Sequence, residues 1–316
     1  MKTNLKTIAS LTLCVMLFAA LIAGCAKPDA APEPTAAPTP EASAQTPTKP
    51  EEPEEPSEKK ALLAVSFGTS YDDNRDLSIG AIETALQAAF PDHDVRRAFT
   101  SRIIIDILAE RGLVIDDITE AMERLVADGV TDVIIQPTHV MRGYEYDDVM
   151  AQITPYAASF TSFKVGAPLL TADEDYAGVA AILADETAGY NEEDAAIVFM
   201  GHGTHHEANA AYAKLQDVLT DAGHTNYFIG TVEGTPEIHE LLPLIEDTGT
   251  KKIVLLPLMI VAGDHANNDM AGDEEGSWKT ILEAKGFEVE CVLKGLGQYK
   301  GVQDLIVGHA QQAITP

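Results

Sequence analysis

The chain has 316 residues and a formal net charge of −29, and residues 61–316 alone carry 42 acidic against 15 basic side chains. Such acidity excludes nucleic acid and anionic lipid headgroups as charge-matched partners and favours cations, although solubility alone would also account for it. The three cysteines, Cys14, Cys25 and Cys291, provide neither a CxxC metal site nor a disulfide framework.

In chain order, Lys2 and Lys6 precede an apolar run from Ile8 to Ile22 that ends in Ile22-Ala23-Gly24-Cys25. The run is too short and wrongly flanked for a membrane-spanning helix, and it has the charged start and apolar middle of a secretory signal. The small residues before Cys25 resemble the lipobox of bacterial lipoproteins. Residues 1–25 are therefore expected to be a lipoprotein signal peptide, with Cys25 lipidated and the mature chain anchored to the outer or periplasmic face of the cell membrane. Residues 26–59, almost entirely Ala, Pro, Glu, Thr and Ser, cannot bury a core and read as an extended, disordered tether.

From Lys60 onward, short runs rich in β-branched residues alternate with amphipathic stretches of helical length. The strands predicted are Ala61–Ser66, Val95–Ala98, Asp132–Gln136, Ser162–Val165, Ala195–Met200, Asn226–Ile229, Lys252–Leu258 and Glu288–Leu293. The helices predicted are Leu77–Ala89, Ile103–Arg111, Ile115–Ala127, Asp173–Asp185, Ala208–Ala222 and Trp278–Ala284. This alternation implies an α/β fold of βα units on mostly parallel sheets. The chain also repeats itself. "LLAVSFGTS" (62–70) matches "AIVFMGHGT" (196–204), and "VIIQPTHVMRGYEYDDVM" (133–150) matches "IVLLPLMIVAGDHANNDM" (253–270), with Pro137 over Pro257 and Glu145 over His265. Two Rossmann-like halves, 60–190 and 191–316, related by an approximate two-fold with a cleft between them, are expected.

In open α/β sheets ligands gather beyond the carboxyl ends of strands. That rule singles out His202, which follows a strand directly between Gly201 and Gly203, two residues that let the backbone turn sharply and approach a ligand. His265 in "AGDHANND" and Glu233 in "GTVEGTPEIHE" occupy similar places beyond two neighbouring strands. Each taken alone reads equally well as a turn or solvated residue. Together, two imidazoles and a carboxylate form a set that binds Zn, Co, Ni or Fe and leaves positions open. His205 and His206 stand where a helix begins and read as first-turn residues at the mouth of a cleft. His93, His224 and His309 lie in loop or terminal contexts and read as surface residues, His239 as a solvated helix residue, and Trp278 as core or cleft wall. "GHGTHH" lacks the third glycine of GxGxxG, so no organic cofactor is expected, and Ser66 and Ser70 have no visible base.

These segments, "LLAVSFGTSYDDNR", "QPTHVMRGYEYDDV", "FMGHGTHHEANAAYAKLQ", "GTVEG" and "LPLMIVAGDHANNDMAGDEEGSW", resemble the anaerobic sirohydrochlorin cobaltochelatases of cobalamin synthesis, class II chelatases that share a fold with ferrochelatase. The resemblance spans nearly all of the chain after Lys60. It implies two Rossmann-like halves around a tetrapyrrole cleft and insertion of Co2+, or of Fe2+, Ni2+ or Zn2+, into sirohydrochlorin or a related tetrapyrrole. It further implies that His202, Glu233 and His265 hold the metal, that His202 also serves as proton acceptor, and that Glu145 is a catalytic glutamate facing them. The segment "VMRGYE" before Glu145 departs from a more polar one, and a signal and tether precede the domain. An exported chelatase is one expectation. The other is a membrane-anchored lipoprotein that binds metal or tetrapyrrole for uptake without catalysis. Either is compatible with a homo-oligomer.

Overall fold

The computed structural model describes residues 58–315; the signal segment, Cys25 and the tether up to residue 57 lie outside the described residues. Strand β1 (Lys60–Ser66) leads into a short helix α1 (Asp72–Arg75), a π-helical turn over Asp76–Gly80, and α2 (Ala81–Ala89). Then follow β2 (Asp94–Phe99), α3 (Arg102–Glu110), α4 (Ile118–Ala127), β3 (Asp132–Pro137), α5 (Tyr144–Ile153), β4 (Ser162–Val165) and α6 (Asp173–Thr187). The second half holds β5 (Ala195–Gly201), α7 (Ala210–Asp221), β6 (Tyr227–Thr231), α8 (Ile238–Asp247), β7 (Lys252–Pro257), α9 (Trp278–Ala284), β8 (Glu288–Cys291) and α10 (Lys300–Ile314).

Two four-stranded parallel sheets result, in the orders β2-β1-β3-β4 and β6-β5-β7-β8. Past their first residues the central strands β1 and β5 run almost entirely apolar, as in "ALLAVS" and "AAIVFMG", because both faces are covered and every residue of these two segments is buried. The edge strands β4 and β8 are only partly buried and correspondingly polar. All eight predicted strands exist, each within two residues of its expected ends. Among the described residues no helix is long and apolar enough to cross a membrane.

The repeat is real but its first segment is shifted by one residue from the match of 62–70 with 196–204. Val65 pairs with Pro137 and Met200 with Pro257, and the N–H groups of Thr138 and Leu258 donate to the carbonyls of Val65 and Met200. Val65 therefore corresponds to Met200, Phe67 to His202, and Gly68 to Gly203. Both of these glycines have positive φ, 99° and 83°, a conformation costly for any residue with a Cβ. The second repeat segment keeps the predicted register.

One core runs through both halves. Leu62 and Ile134 of the first sheet share it with Ile197 and Val254 of the second and with Val179 and Val302 of α6 and α10. Helix α10, which follows the second sheet, packs on α2 and β3 of the first, whereas α6, which follows the first, packs on α7. His309 corrects its surface reading here: it is 4% exposed on α10, and its Nε2 lies 2.9 Å from Asp175 Oδ1 at the start of α6. In the fold Gly301 lies where a Cβ would be 2.6 Å from Ile182, so the glycine serves helix-to-helix contact. Trp278 is core, packed with Phe228 and Leu241.

Candidate metal and proton-transfer site

In each sheet the strand order reverses between two central strands, β1 and β3 in the first and β5 and β7 in the second, which opens a crevice at their carboxyl ends. His202 leaves β5 at that point. Glu233 is drawn beside it because the pairing of β5 with β6 continues past the strands: Val232 N–H donates to Gly201 O at 3.0 Å and Glu233 N–H to His202 O at 2.7 Å. Asn209 braces the two loops, accepting from Thr204 N–H and donating to Thr235 O. His265 arrives from the loop after β7, which Asn267 ties down through the carbonyls of Ala262 and Gly263, and a π-helical turn over Ala266–Met270 follows.

The three predicted ligands converge. One donor atom from each of His202, Glu233 and His265 lies within 4.8 Å of the others. His202 Nε2 stands 3.8 Å from Glu233 Oε2, and the two imidazoles meet edge to face at 4.8 Å. Both ring tautomers are set by their other nitrogen. His202 Nδ1–H donates to Gly203 O at 2.9 Å, and His265 Nδ1 bonds Asp269 Oδ2 at 2.7 Å, so each Nε2 lone pair is free to meet an ion. Bonds of about 2.0–2.1 Å to a four-coordinate ion place neighbouring donors about 3.3 Å apart. The His202–Glu233 gap is somewhat wider, so all three hold an ion together only after a small closure, a geometry suited to a metal that is bound and then released.

The close approach made by the glycines is to protein, not to a ligand. A Cβ on Gly201 would lie 2.3 Å from Tyr212 Cε1, and one on Gly203 would lie 2.4 Å from Gly234 N. The buried Tyr212 hydroxyl accepts from Gly203 N–H at 3.1 Å. These contacts lock the turn that presents His202.

Glu145 lies in the first turn of α5, on the other half, close enough to His202 and Glu233 to feel their charges. Nearly half of its side chain (48%) meets water, yet the cleft encloses the rest enough that lost hydration raises its pKa, with His202 opposing and Asp148 and Glu233 adding to the rise. His206 is more tied down than a free first-turn residue. Its Nδ1 accepts from Ala208 N–H, its Nε2 lies 3.5 Å from Asp147, and its ring stacks edge-on against Tyr144 at 4.8 Å, so it straps α5 to the opposite half. His205 is exposed, and both line a recess of about 620 Å3 shared with Thr204, Asn209, Glu233 and Glu237. A larger recess of about 860 Å3, between α2 and α10, holds no such convergence of ligands. Ser66 is buried against Thr138 with no base beside it.

Two neighbours of the site escaped the sequence reading. Phe67, 43% exposed, leaves β1 at the place where His202 leaves β5. His139 is buried beside Glu145, with Nε2 3.6 Å from Glu145 Oε2. The match of Pro137 with Pro257 sets His139 over Met259, a polar residue against an apolar one, and that contrast was the available signal.

A family model described as cobalt chelatase (CbiK) matches residues 60–315. A sirohydrochlorin cobaltochelatase of Salmonella typhimurium is 41% identical over 258 residues, 81% of this chain and 97% of its own. Sirohydrochlorin cobaltochelatase CbiKC of Nitratidesulfovibrio vulgaris is 35% identical over 260 residues, 81% of this chain and 91% of its own. Among solved structures, SirB from Bacillus subtilis with Fe3+ has the same fold, with a TM-score of 0.57 and 16% identity across 81% of this chain and 95% of that one.

Proposed function

The chain belongs to the cobalt chelatase (CbiK) family, and from that premise we propose that its globular part inserts Co2+ into sirohydrochlorin as a metal chelatase. The observation that carries this reading is the convergence of His202, Glu233 and His265 on one half with Glu145 facing them from the other. Insertion replaces two pyrrole N–H bonds by bonds to the metal, so two protons must leave for each ion that enters. The substrate Co2+ is held by His202 Nε2, His265 Nε2 and the Glu233 carboxylate, which also offsets its charge. The ion lowers the pKa of the pyrrole nitrogens it approaches. His202 cannot hold the ion and accept a proton through one nitrogen at once. Glu145, whose raised pKa brings it nearer neutrality, is therefore assigned the proton acceptor on the opposite face, taking the two protons one after the other and passing each to water at its exposed edge.

The test is a matrix of Co2+, Fe2+, Ni2+ and Zn2+ against sirohydrochlorin and protoporphyrin, followed by absorbance, with wild-type and Glu145→Gln proteins. Turnover of Co2+ with sirohydrochlorin is expected, and Glu145→Gln is expected to cut kcat roughly 100-fold while Co2+ binding persists. Stoichiometric capture of metal or tetrapyrrole with no metallated product would overturn the enzymatic reading in favour of a carrier.

For residues 1–59 we propose an exported, lipid-anchored state, supported by the apolar run before Cys25 and the Pro- and Glu-rich segment after it. Mass spectrometry of the membrane fraction is expected to find an acylated Cys25, and Cys25→Ser is expected to release the protein. An unacylated N-terminus in the cytoplasm would refute this placement.

A further inference from the structure

His139 leaves β3 on the same backbone path that Met259 follows from β7. The carbonyl of His139 accepts from Leu169 N–H at 2.9 Å and that of Met259 from Leu296 N–H at 2.8 Å; at the next residue Val140 accepts from Leu170 and Ile260 from Gly297. Two halves with the same hydrogen bonds thus carry an imidazole in one and a thioether in the other. The fold at this place asks only for an apolar filler, as Met259 shows by packing against the second half's core.

The imidazole is also costly where it stands. His139 is 8% exposed, and neither ring nitrogen has a hydrogen-bond partner. Buried nitrogens left unpaired are unfavourable, and native proteins keep few of them without a use. Burial pushes the His139 pKa down to about 4, so near neutral pH the ring is uncharged, with one N–H to give and one lone pair. The polar atom that faces it is Glu145 Oε2, 3.6 Å from Nε2, about half an ångström beyond a good hydrogen bond. A carboxylate only accepts, so the bond requires the Nε2–H tautomer.

We infer that His139 is a positioning residue for Glu145: its Nε2–H closes onto Oε2 as the cleft takes up the tetrapyrrole, and holds the carboxylate, ionised, towards the metal site. Catalytic hydrogen bonds that are long in the empty enzyme commonly tighten in the loaded one. A donor on the charged carboxylate opposes the loss of hydration that favours its protonated form. The orienting group is itself immobile, because it is buried and its backbone carbonyl is bonded. This inference rests on the chelatase reading, in which Glu145 takes a pyrrole proton.

The experiment compares wild-type, His139→Met and His139→Gln proteins in Co2+ insertion into sirohydrochlorin. Methionine is what the other half tolerates, and glutamine returns an N–H donor close to the Nε2 position. His139→Met is expected to lower kcat roughly tenfold or more, leaving KM for sirohydrochlorin, Co2+ affinity and thermal midpoint near the wild-type values, and His139→Gln to recover most of the loss. Unchanged kcat in His139→Met overturns the inference, and so does an equal fall in both variants or a change confined to KM. A second readout does not need turnover: in 15N-labelled protein, His139 is expected as the Nε2–H tautomer, with a resonance that shifts in Glu145→Gln. The Nδ1–H tautomer, or no shift, overturns it. Absence of turnover in the wild type sinks the chelatase reading instead, while the resonance still decides which group His139 faces.

Discussion

At the carboxyl end of β5 the chain presents His202, and at the corresponding point of β1 it presents Phe67; beyond β7 come Met259 and His265, and beyond β3 come His139 and Glu145. The strand orders, registers and turn glycines of the two halves agree, yet their side chains at the crevice are exchanged in kind. The second half has the converging His202, Glu233 and His265 that are proposed to hold the metal, with Asp269 and Gly203 O fixing its imidazoles. The first has an exposed aromatic face and a carboxylate of raised pKa over a buried, neutral imidazole. In the proposed mechanism, separating the two sets would keep the proton acceptor from becoming a fourth strong ligand and so keep the ion exchangeable.

The comparison breaks most sharply if the second half proves dispensable. His202→Ala and His265→Ala are each expected to abolish tight Co2+ binding and to lower insertion by roughly 100-fold or more, as measured by metal titration and by absorbance. Insertion at the unmutated rate would remove the division of labour altogether. A smaller effect sharpens the first half. The unfolded chain protonates His139 near its ordinary pKa of about 6.5, whereas the folded chain resists down to about 4. Its depressed folded pKa means that stability is full above the higher value and falls as pH drops towards the lower one. Urea unfolding at neutral pH and near pH 4.5 is expected to show wild type losing about 2 kcal/mol that His139→Met does not lose. The smallest effect concerns the strap between the halves. His206→Ala removes a partly exposed ion pair with Asp147 and the edge contact with Tyr144, and should cost no more than about 1 kcal/mol by thermal unfolding.

The strands and the repeat were legible because burial on both faces forces unbroken apolar runs, and because Pro137 and Pro257 mark the same register in both halves. His202, Glu233 and His265 were legible by their place beyond strand ends. Helices α5 and α10 were not. Helix α5 opens on Gly143 with two tyrosines and three acids in its first five residues, a weakly amphipathic start, and α10 contains two glycines, of which Gly301 is set by its contact with Ile182 of α6 while Gly308 has no neighbour within 4 Å. Missing α10 misplaced His309, and missing α5 left nothing to show that its first turn sets Glu145 over His139 at the end of β3. The one-residue shift between 62–70 and 196–204 had a similar cause: the residues were matched by type, whereas the sheet matches them by hydrogen bond, and only that match sets Phe67 opposite His202.

Helix α10 supplies Val302, Ile306 and Ala310 to a core that also holds Leu62 and Ile134 of the first sheet. Residues 300–314 thus complete the face that the first sheet turns to the shared core. Because that helix comes from the other half, the first four strands are expected to reach full stability only once α10 has docked on them. Such late docking is compatible with the export proposed above, which would need the chain unfolded.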